Sequence, residues 1–137
     1  MQSLTRYLDG KKFETTVGRH RILSDQPVSN GGTDAGPTPP EFLLASLGSC
    51  AGHYAVEYLR ARSLPLSDLE IHVSAEKALQ PARLASFHIE VIVPALDEHH
   101  RQGLLRAVNA CLIHNTLKIS PAIDVEVGVA QTLSPVS

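Results

Sequence analysis

The chain has 137 residues, of which 43% are apolar, 19% charged and 4% aromatic, and its formal net charge is −2. That length fits one domain spanning 1–137, with apolar content sufficient for its own core. The near-neutral charge offers no basic field to nucleic acid or to an anionic membrane surface, and no low-complexity or like-charge tract points to disorder.

Residues 3–8 and 12–24 read as short strands. Asp9-Gly10 is a turn signal between two runs rich in Thr, Val, Phe and Tyr, and Gly18 marks a second turn inside the later run. The first nine residues carry Arg6 and Asp9 and no long apolar run, so no signal peptide is expected. Residues 25–40 are too rich in Gly and Pro for regular structure. A loop of that length is usually functional or a linker, and here it is expected to form a pocket wall.

The loop ends in a helix start. Thr38-Pro39-Pro40-Glu41 fits a capping box, with Thr38 as N-cap, Pro39 at the first helical position and Glu41 at the third. The helix is expected to run to Arg62, ahead of Leu64-Pro65. Its stretch from Phe42 to Tyr58 is interrupted by Gly48, Ser49, Gly52, His53 and Glu57, which suits a buried helix better than a membrane span. Two interior glycines each cost about 1 kcal/mol relative to Ala, so a close approach by another helix is expected to offset them, the same helix of a second chain being one candidate.

Two alternating segments follow. Leu69, Ile71, Val73 and Ala75 alternate with polar residues, and Phe87, Ile89, Val91 and Val93 alternate with His88, Glu90 and Ile92, the pattern of a half-buried antiparallel sheet. Asp97 is the expected N-cap of a second helix reaching Ile113, with Leu104, Leu105, Val108 and Leu112 on its apolar stripe. Ile123, Val125, Val127 and Val129 predict a final strand. Strands interrupted by helices without strict βαβ alternation give an α+β fold.

The candidate chemistry lies in the two cysteines, Cys50 and Cys111. Free cysteine commonly packs as a small hydrophobe. Three features favour reactivity instead. Small residues beside Cys50 leave room for a second sulfur or a substrate, the long loop lies directly upstream, and each cysteine is followed by a histidine at the same offset (His53 and His114). Positions i and i+3 share a helix face, where a protonated histidine can stabilise a thiolate. Cys50, His53, Tyr54 and Glu57 thus form a candidate activated-thiol face. Cys50, His53, Cys111 and His114 also supply the four N/S ligands of a structural zinc site. A guanidinium near sulfur likewise favours the thiolate, and Arg6, Arg19 and Arg21 are the candidates on the early strands. His72, His88, His99 and His100 have no partner pattern and are expected to face solvent.

The run Gly31-Gly-Thr-Asp-Ala-Gly-Pro-Thr-Pro-Pro-Glu-Phe-Leu-Leu-Ala-Ser-Leu-Gly-Ser-Cys50 closely resembles the OsmC/Ohr family. So does Ala110-Cys-Leu-Ile-His-Asn-Thr-Leu117, where the family commonly has Cys-Pro-Val-His. The resemblance implies an intertwined homodimer, with antiparallel sheets wrapped around two central helices. It implies thiol-dependent reduction of organic hydroperoxides, of the kind used in an oxidative stress response. Cys50 would be the peroxidatic residue and Cys111 the resolving one, reset by an external dithiol reductant. No bound cofactor, metal, nucleic acid or membrane is implied, and the expected location is cytoplasmic.

Two positions depart from the peroxidase pattern. Pro40 stands where those enzymes carry a glutamate that holds an arginine near the sulfur, and Glu41, one residue later, projects from the opposite side of the helix to Cys50 at about 100° per residue. Leu8 falls where the arginine is expected; Arg6, two residues away on the same strand face, is the substitute. This resembles the broader OsmC-like branch, with His53 expected to contribute to thiolate stabilisation. The alternatives are a non-catalytic OsmC-like module that binds a small apolar ligand in the dimer cleft, and a Cys/His zinc-stabilised structural dimer.

Overall fold

The computed structural model describes residues 1–130; the last part of the expected 1–137 domain, residues 131–137, lies outside the described residues. Three short strands come first: β1 (Leu4–Tyr7), β2 (Phe13–Val17) and β3 (His20–Ser24). They form an antiparallel meander in the order β1-β2-β3, with Arg6 opposite Glu14. Gly10 and Gly18 occupy the two turns with φ of 52° and 59°, a backbone region in which a side chain is strained. This sheet has little packing against the rest of the chain. Leu4, Tyr7, Phe13 and Val17 are exposed, and the Tyr7 and Phe13 rings meet edge to face at 5.6 Å.

The loop after β3 is ordered by a buried carboxylate. Asp25 accepts hydrogen bonds from the backbone N–H groups of Gln26 (2.8 Å), Thr33 (3.1 Å) and Ala35 (3.0 Å) and from the Thr33 hydroxyl (2.8 Å). The Ala35 N–H leads in holding the Asp25 carboxyl down at about 2, against the opposing effect of burial. A short 3-10 turn, Val28–Asn30, lies inside this loop. Gly32 and Gly36 let the chain fold back on itself, because a Cβ there would overlap the backbone carbonyls of Gln26 and Leu23.

The capping box is present. The Thr38 N–H and hydroxyl both donate to the Glu41 carboxylate, at 3.1 and 2.7 Å, and α1 runs Pro39–Ala61. Strands β4 (Glu70–Ala78) and β5 (Arg83–Ile92) form the second antiparallel sheet. Its inward residues Ile71, Val73, Ile89 and Val91 are half-buried toward α1. Helix α2 (Glu98–Asn109) starts at Asp97, whose carboxylate accepts from the His100 N–H at 2.8 Å. A separate short helix, α3 (Leu112–Lys118), follows. The architecture is α+β, with antiparallel sheets and three helices. The core is Leu47, Ala51, Ala55, Tyr58, Leu59, Leu104 and Val108, with Cys111 fully buried.

Four expectations need correction. The second helix does not continue to Ile113: it stops at Asn109, and Cys111 is the N-cap of α3 in an extended conformation. Within the single chain the glycines of α1 meet strand side chains rather than another helix. A Cβ on Gly48 would touch Val73 at 3.2 Å and one on Gly52 would touch Ile71 at 3.4 Å, so they admit the β4 side chains. Residues 123–129 form no strand; Ile123, Val125, Val127 and Val129 are 81–91% exposed because no neighbouring edge receives them in the single chain. His100 is half-buried rather than solvated, with its Nδ1 3.3 Å from the Tyr58 hydroxyl.

Helices α1 and α2 approach closely at Gly103. A Cβ there would overlap the Tyr58 hydroxyl and lie 2.5 Å from ring carbon Cζ. The ring cannot easily yield, since it is buried beneath the Arg62 guanidinium, 3.8 Å from its centroid. Overpacking costs about 1–3 kcal/mol, whereas Gly→Ala in a helix gains at most about 1 kcal/mol. Gly103→Ala is therefore expected to lower stability in urea unfolding. The loss should shrink in a Tyr58→Phe background, which removes the overlapped oxygen.

Candidate functional site

The two cysteines, remote in sequence, are both free thiols and meet in the structure. Helix α1 brings Cys50 to the core boundary, half-buried between the buried residues Leu47 and Ala51. The break between α2 and α3 turns Cys111 inward, fully buried, against it. The two thiols lie close enough for each to act on the other's acidity.

That geometry splits their acidities. Burial pushes the Cys50 thiol up, but three donors outweigh it: the Cys111 thiol and the N–H groups of Ile113 and Leu112 hold it below its ordinary value. Burial pushes the Cys111 thiol up, and its bond to Cys50 pushes the same way. The N–H groups of His114 and Ile113 oppose this without reversing it. The two shifts run in opposite directions, so the pair's first ionisation favours Cys50. Cys50, with the lowered pKa, is also the more exposed of the two.

The other expected residues are placed as follows. His53 is exposed on α1, its ring edge to face with Tyr54 at 6.1 Å. Glu57 is exposed, and no His53–Glu57 hydrogen bond forms among the described residues. Ser49 donates to the Ala45 carbonyl at 2.9 Å within its own helix and does not address the sulfur. Arg6 is exposed on β1, and within this chain it is not among the groups acting on Cys50. No group of three His, Cys, Asp or Glu side chains among the described residues is placed to hold a metal ion. The set Cys50, His53, Cys111 and His114 is thus not assembled into a zinc site.

Sequence reasoning missed the backbone donors of Leu112 and Ile113 because nothing in Cys-Leu-Ile-His announces a helix start. It also missed a cavity of about 250 Å³ lined by Leu47, Phe87, Ile89, His114, Leu117 and Lys118, with Ala85 and Ser86 at its edge. A larger groove of about 810 Å³ adjoins it between β5 and α2. Residues 25–40 line neither of these two cavities, so the expected loop wall is not realised in the single chain.

An α+β chain with two thiols meeting at a helix restart defines a class of cysteine-pair proteins. The chain belongs to the OsmC-like protein family, whose profile matches residues 31–126. Among solved structures it is similar to a Psychrobacter arcticus protein named for osmotic stress induction and detoxification response. The TM-score is 0.77 at 21% identity, covering 88% of this chain and 89% of that one. An OsmC-like protein of Mycoplasma pneumoniae gives 0.71 at 21% identity, covering 85% and 86%. The organic hydroperoxide resistance protein OhrB of Bacillus subtilis gives 0.56 at 17% identity, covering 87% and 90%. No significant match is found among curated proteins. No helix among the described residues is long and apolar enough to cross a membrane.

The acidity argument is directly testable. Alkylation of Cys50 by iodoacetamide is expected to follow a pH profile with its midpoint below that of an ordinary thiol. Cys111→Ala removes the thiol donor, so the midpoint should move up and the rate at neutral pH should fall. Mass-spectrometric mapping of the alkylated cysteine against pH checks both.

Proposed function

We propose that this protein reduces organic hydroperoxides through a Cys50–Cys111 thiol cycle. The observation that carries this reading is the meeting of a half-buried thiol held below its ordinary pKa with a second, buried thiol. The Cys50 thiolate attacks the distal oxygen of ROOH; an S–O bond forms, the O–O bond breaks, and the alkoxide leaves and takes a proton from water. The resulting sulfenic acid condenses with the Cys111 thiol, forming the disulfide and releasing water. An external dithiol then exchanges with the disulfide, is itself oxidised to a disulfide, and returns both thiols. A reducing, cytoplasmic setting suits that cycle.

If this is right, one equivalent of cumene hydroperoxide per chain consumes both free thiols of the reduced protein. Cys50→Ser abolishes turnover, and Cys111→Ser leaves a trappable sulfenic acid on Cys50. Retention of both thiols under excess peroxide refutes the reading.

The working unit in this reading is a homodimer of single OsmC-like domains. Its support is apolar surface that the single chain leaves uncovered. The β1-β2-β3 sheet exposes Leu4, Tyr7, Phe13 and Val17, and residues 123–129 expose an alternating apolar row. The groove of about 810 Å³ is lined by the consecutive residues Phe87–Val91 on one side and by Leu104, Leu105 and Val108 on the other. Consecutive strand residues point to opposite faces, so a groove that touches all five runs along a strand edge. Residues 123–129 of a second copy have the alternation to add a strand there. The second copy also supplies the route by which Arg6, remote from Cys50 within one chain, would reach a thiolate, with His53 on the exposed face of α1 beside it. Val125→Asp with Val127→Asp is expected to convert a dimer to a monomer in analytical ultracentrifugation. A monomeric parent protein at micromolar concentration rules the dimer out.

A further inference from the structure

Helix α3 (Leu112–Lys118) is weakly anchored. None of its residues is buried, and only Ile113 and His114 are half-buried. Its side-chain hydrogen bonds among the described residues are local: Asn115 donates to the Ala110 carbonyl at 3.5 Å and Thr116 to the Leu112 carbonyl at 2.9 Å. No ion pair among the described residues ties it to another element. The cavity of about 250 Å³ separates its His114, Leu117 and Lys118 from Leu47, Phe87 and Ile89, so contacts that would hold the helix down are missing there. A helix of seven residues is also too short to persist on its own. Yet its N-cap is Cys111, which is fully buried, so any displacement of α3 moves the backbone that carries that sulfur.

The reductive half of the thiol cycle requires access to one of the two sulfurs. A thiolate that opens the Cys50–Cys111 disulfide attacks one sulfur and expels the other, and the more acidic thiol leaves faster. Cys50 is held below its ordinary value and Cys111 above it, so Cys50 is the better leaving group and Cys111 the better target. That target is closed to solvent in the dithiol state. In the disulfide neither sulfur is charged. The N–H groups of Leu112 and Ile113 then lose the thiolate they favour, and α3 is held less firmly than before.

From this we infer that α3 is a redox-sensitive lid, which closes over Cys111 in the dithiol state and lifts in the disulfide state to admit a thiol reductant to the Cys111 sulfur. The inference rests on the thiol cycle proposed above and specifies its reductive half. The reductant thiolate forms a bond to the Cys111 sulfur, the Cys50–Cys111 bond breaks, and the electron pair stays on Cys50 as its thiolate. The second thiol of the dithiol then attacks the reductant sulfur of that mixed disulfide. The reductant closes its own disulfide, and Cys111 is released and receives, through water, the proton the second thiol gave up.

The disulfide is formed with diamide, so the test does not depend on peroxide turnover. Oxidised protein is mixed with limiting 2-mercaptoethanol, a monothiol, and quenched with acid at early times for peptide mapping by mass spectrometry. The adduct is expected on Cys111 with Cys50 free; an adduct on Cys50 overturns the inference. Hydrogen exchange of amides 112–118 should be faster in the oxidised than in the reduced protein, with α1 and β4 little changed, and equal exchange at 112–118 overturns the lid. Thr116, exposed on α3, allows the helix to be tuned away from the sulfurs. Re-reduction should be up to about fivefold faster in Thr116→Gly than in Thr116→Ala, the Gly–Ala helix preference expressed as a ratio, while Cys50 alkylation in the reduced variants differs by less than about twofold. Equal re-reduction of the two variants counts against the lid. If diamide closes the disulfide and cumene hydroperoxide does not, the peroxidase reading falls and these outcomes still decide the lid. If no oxidant joins Cys50 to Cys111, both fall.

Discussion

The site depends on the interruption between α2 and α3. In a continuous helix the N–H groups of Leu112 and Ile113 would be bonded to the carbonyls four residues earlier. By ending α2 at Asn109 and restarting at Leu112, the chain leaves the first N–H groups of α3 without backbone partners. Those orphan donors are the ones that face Cys50 and Cys111. The same interruption swings the Cys111 side chain into the core, where it meets the sulfur of α1. One local backbone decision therefore supplies the second thiol, the donors that favour the thiolate, and a position for that thiolate at the edge of the core. No side-chain cation is needed within the chain for the first ionisation to favour Cys50.

Rigid packing keeps the two sulfurs in register. Helix α1 is held on one flank by β4, whose Val73 and Ile71 reach Gly48 and Gly52, two residues before and two residues after Cys50 on the helix. Further along, Tyr58 is buried against Gly103 of α2, with Arg62 over its ring. Glycine is unfavourable inside a helix, so these positions weaken the isolated helix to permit close approach elsewhere. The gain is that α1 cannot slide relative to α2 without breaking both contacts, and Cys111 is carried by the segment directly after α2. Burial alone would raise both thiols; placement against three donors brings the half-buried Cys50 below its ordinary value instead.

Much of this was legible in the chain itself. Period-two alternation marked β4 and β5, Asp9-Gly10 and Gly18 marked the N-terminal turns, and Thr38-Pro39-Pro40-Glu41 marked the start of α1, because each of these signals is local. The α2–α3 break was not legible for the opposite reason. The family pattern has Pro after the second cysteine, a residue suited to a first helical position. Here Leu112 occupies that place, so the apolar stripe runs on without a stop signal. The partner of Gly48 and Gly52 was misread because small residues announce closeness without saying what comes close. The backbone donors at Leu112 and Ile113 have no side-chain signature at all.

The segment 123–129 shows where reading one chain reaches its natural limit. Its alternation is as regular as that of β4, yet it forms no strand, since a strand is defined by the edge that receives it and not by its own residues. An exposed alternating apolar row is an aggregation hazard unless something covers it. The β1-β2-β3 sheet has the same defect, an apolar surface without a core beneath it. In the proposed homodimer a second copy would cover that sheet, pair that strand sequence and fill the open groove along β5. In such a pair, proximity within a chain and proximity within the site would be separate quantities, and Arg6, which does not act on Cys50 within its own chain, could approach the partner's thiol.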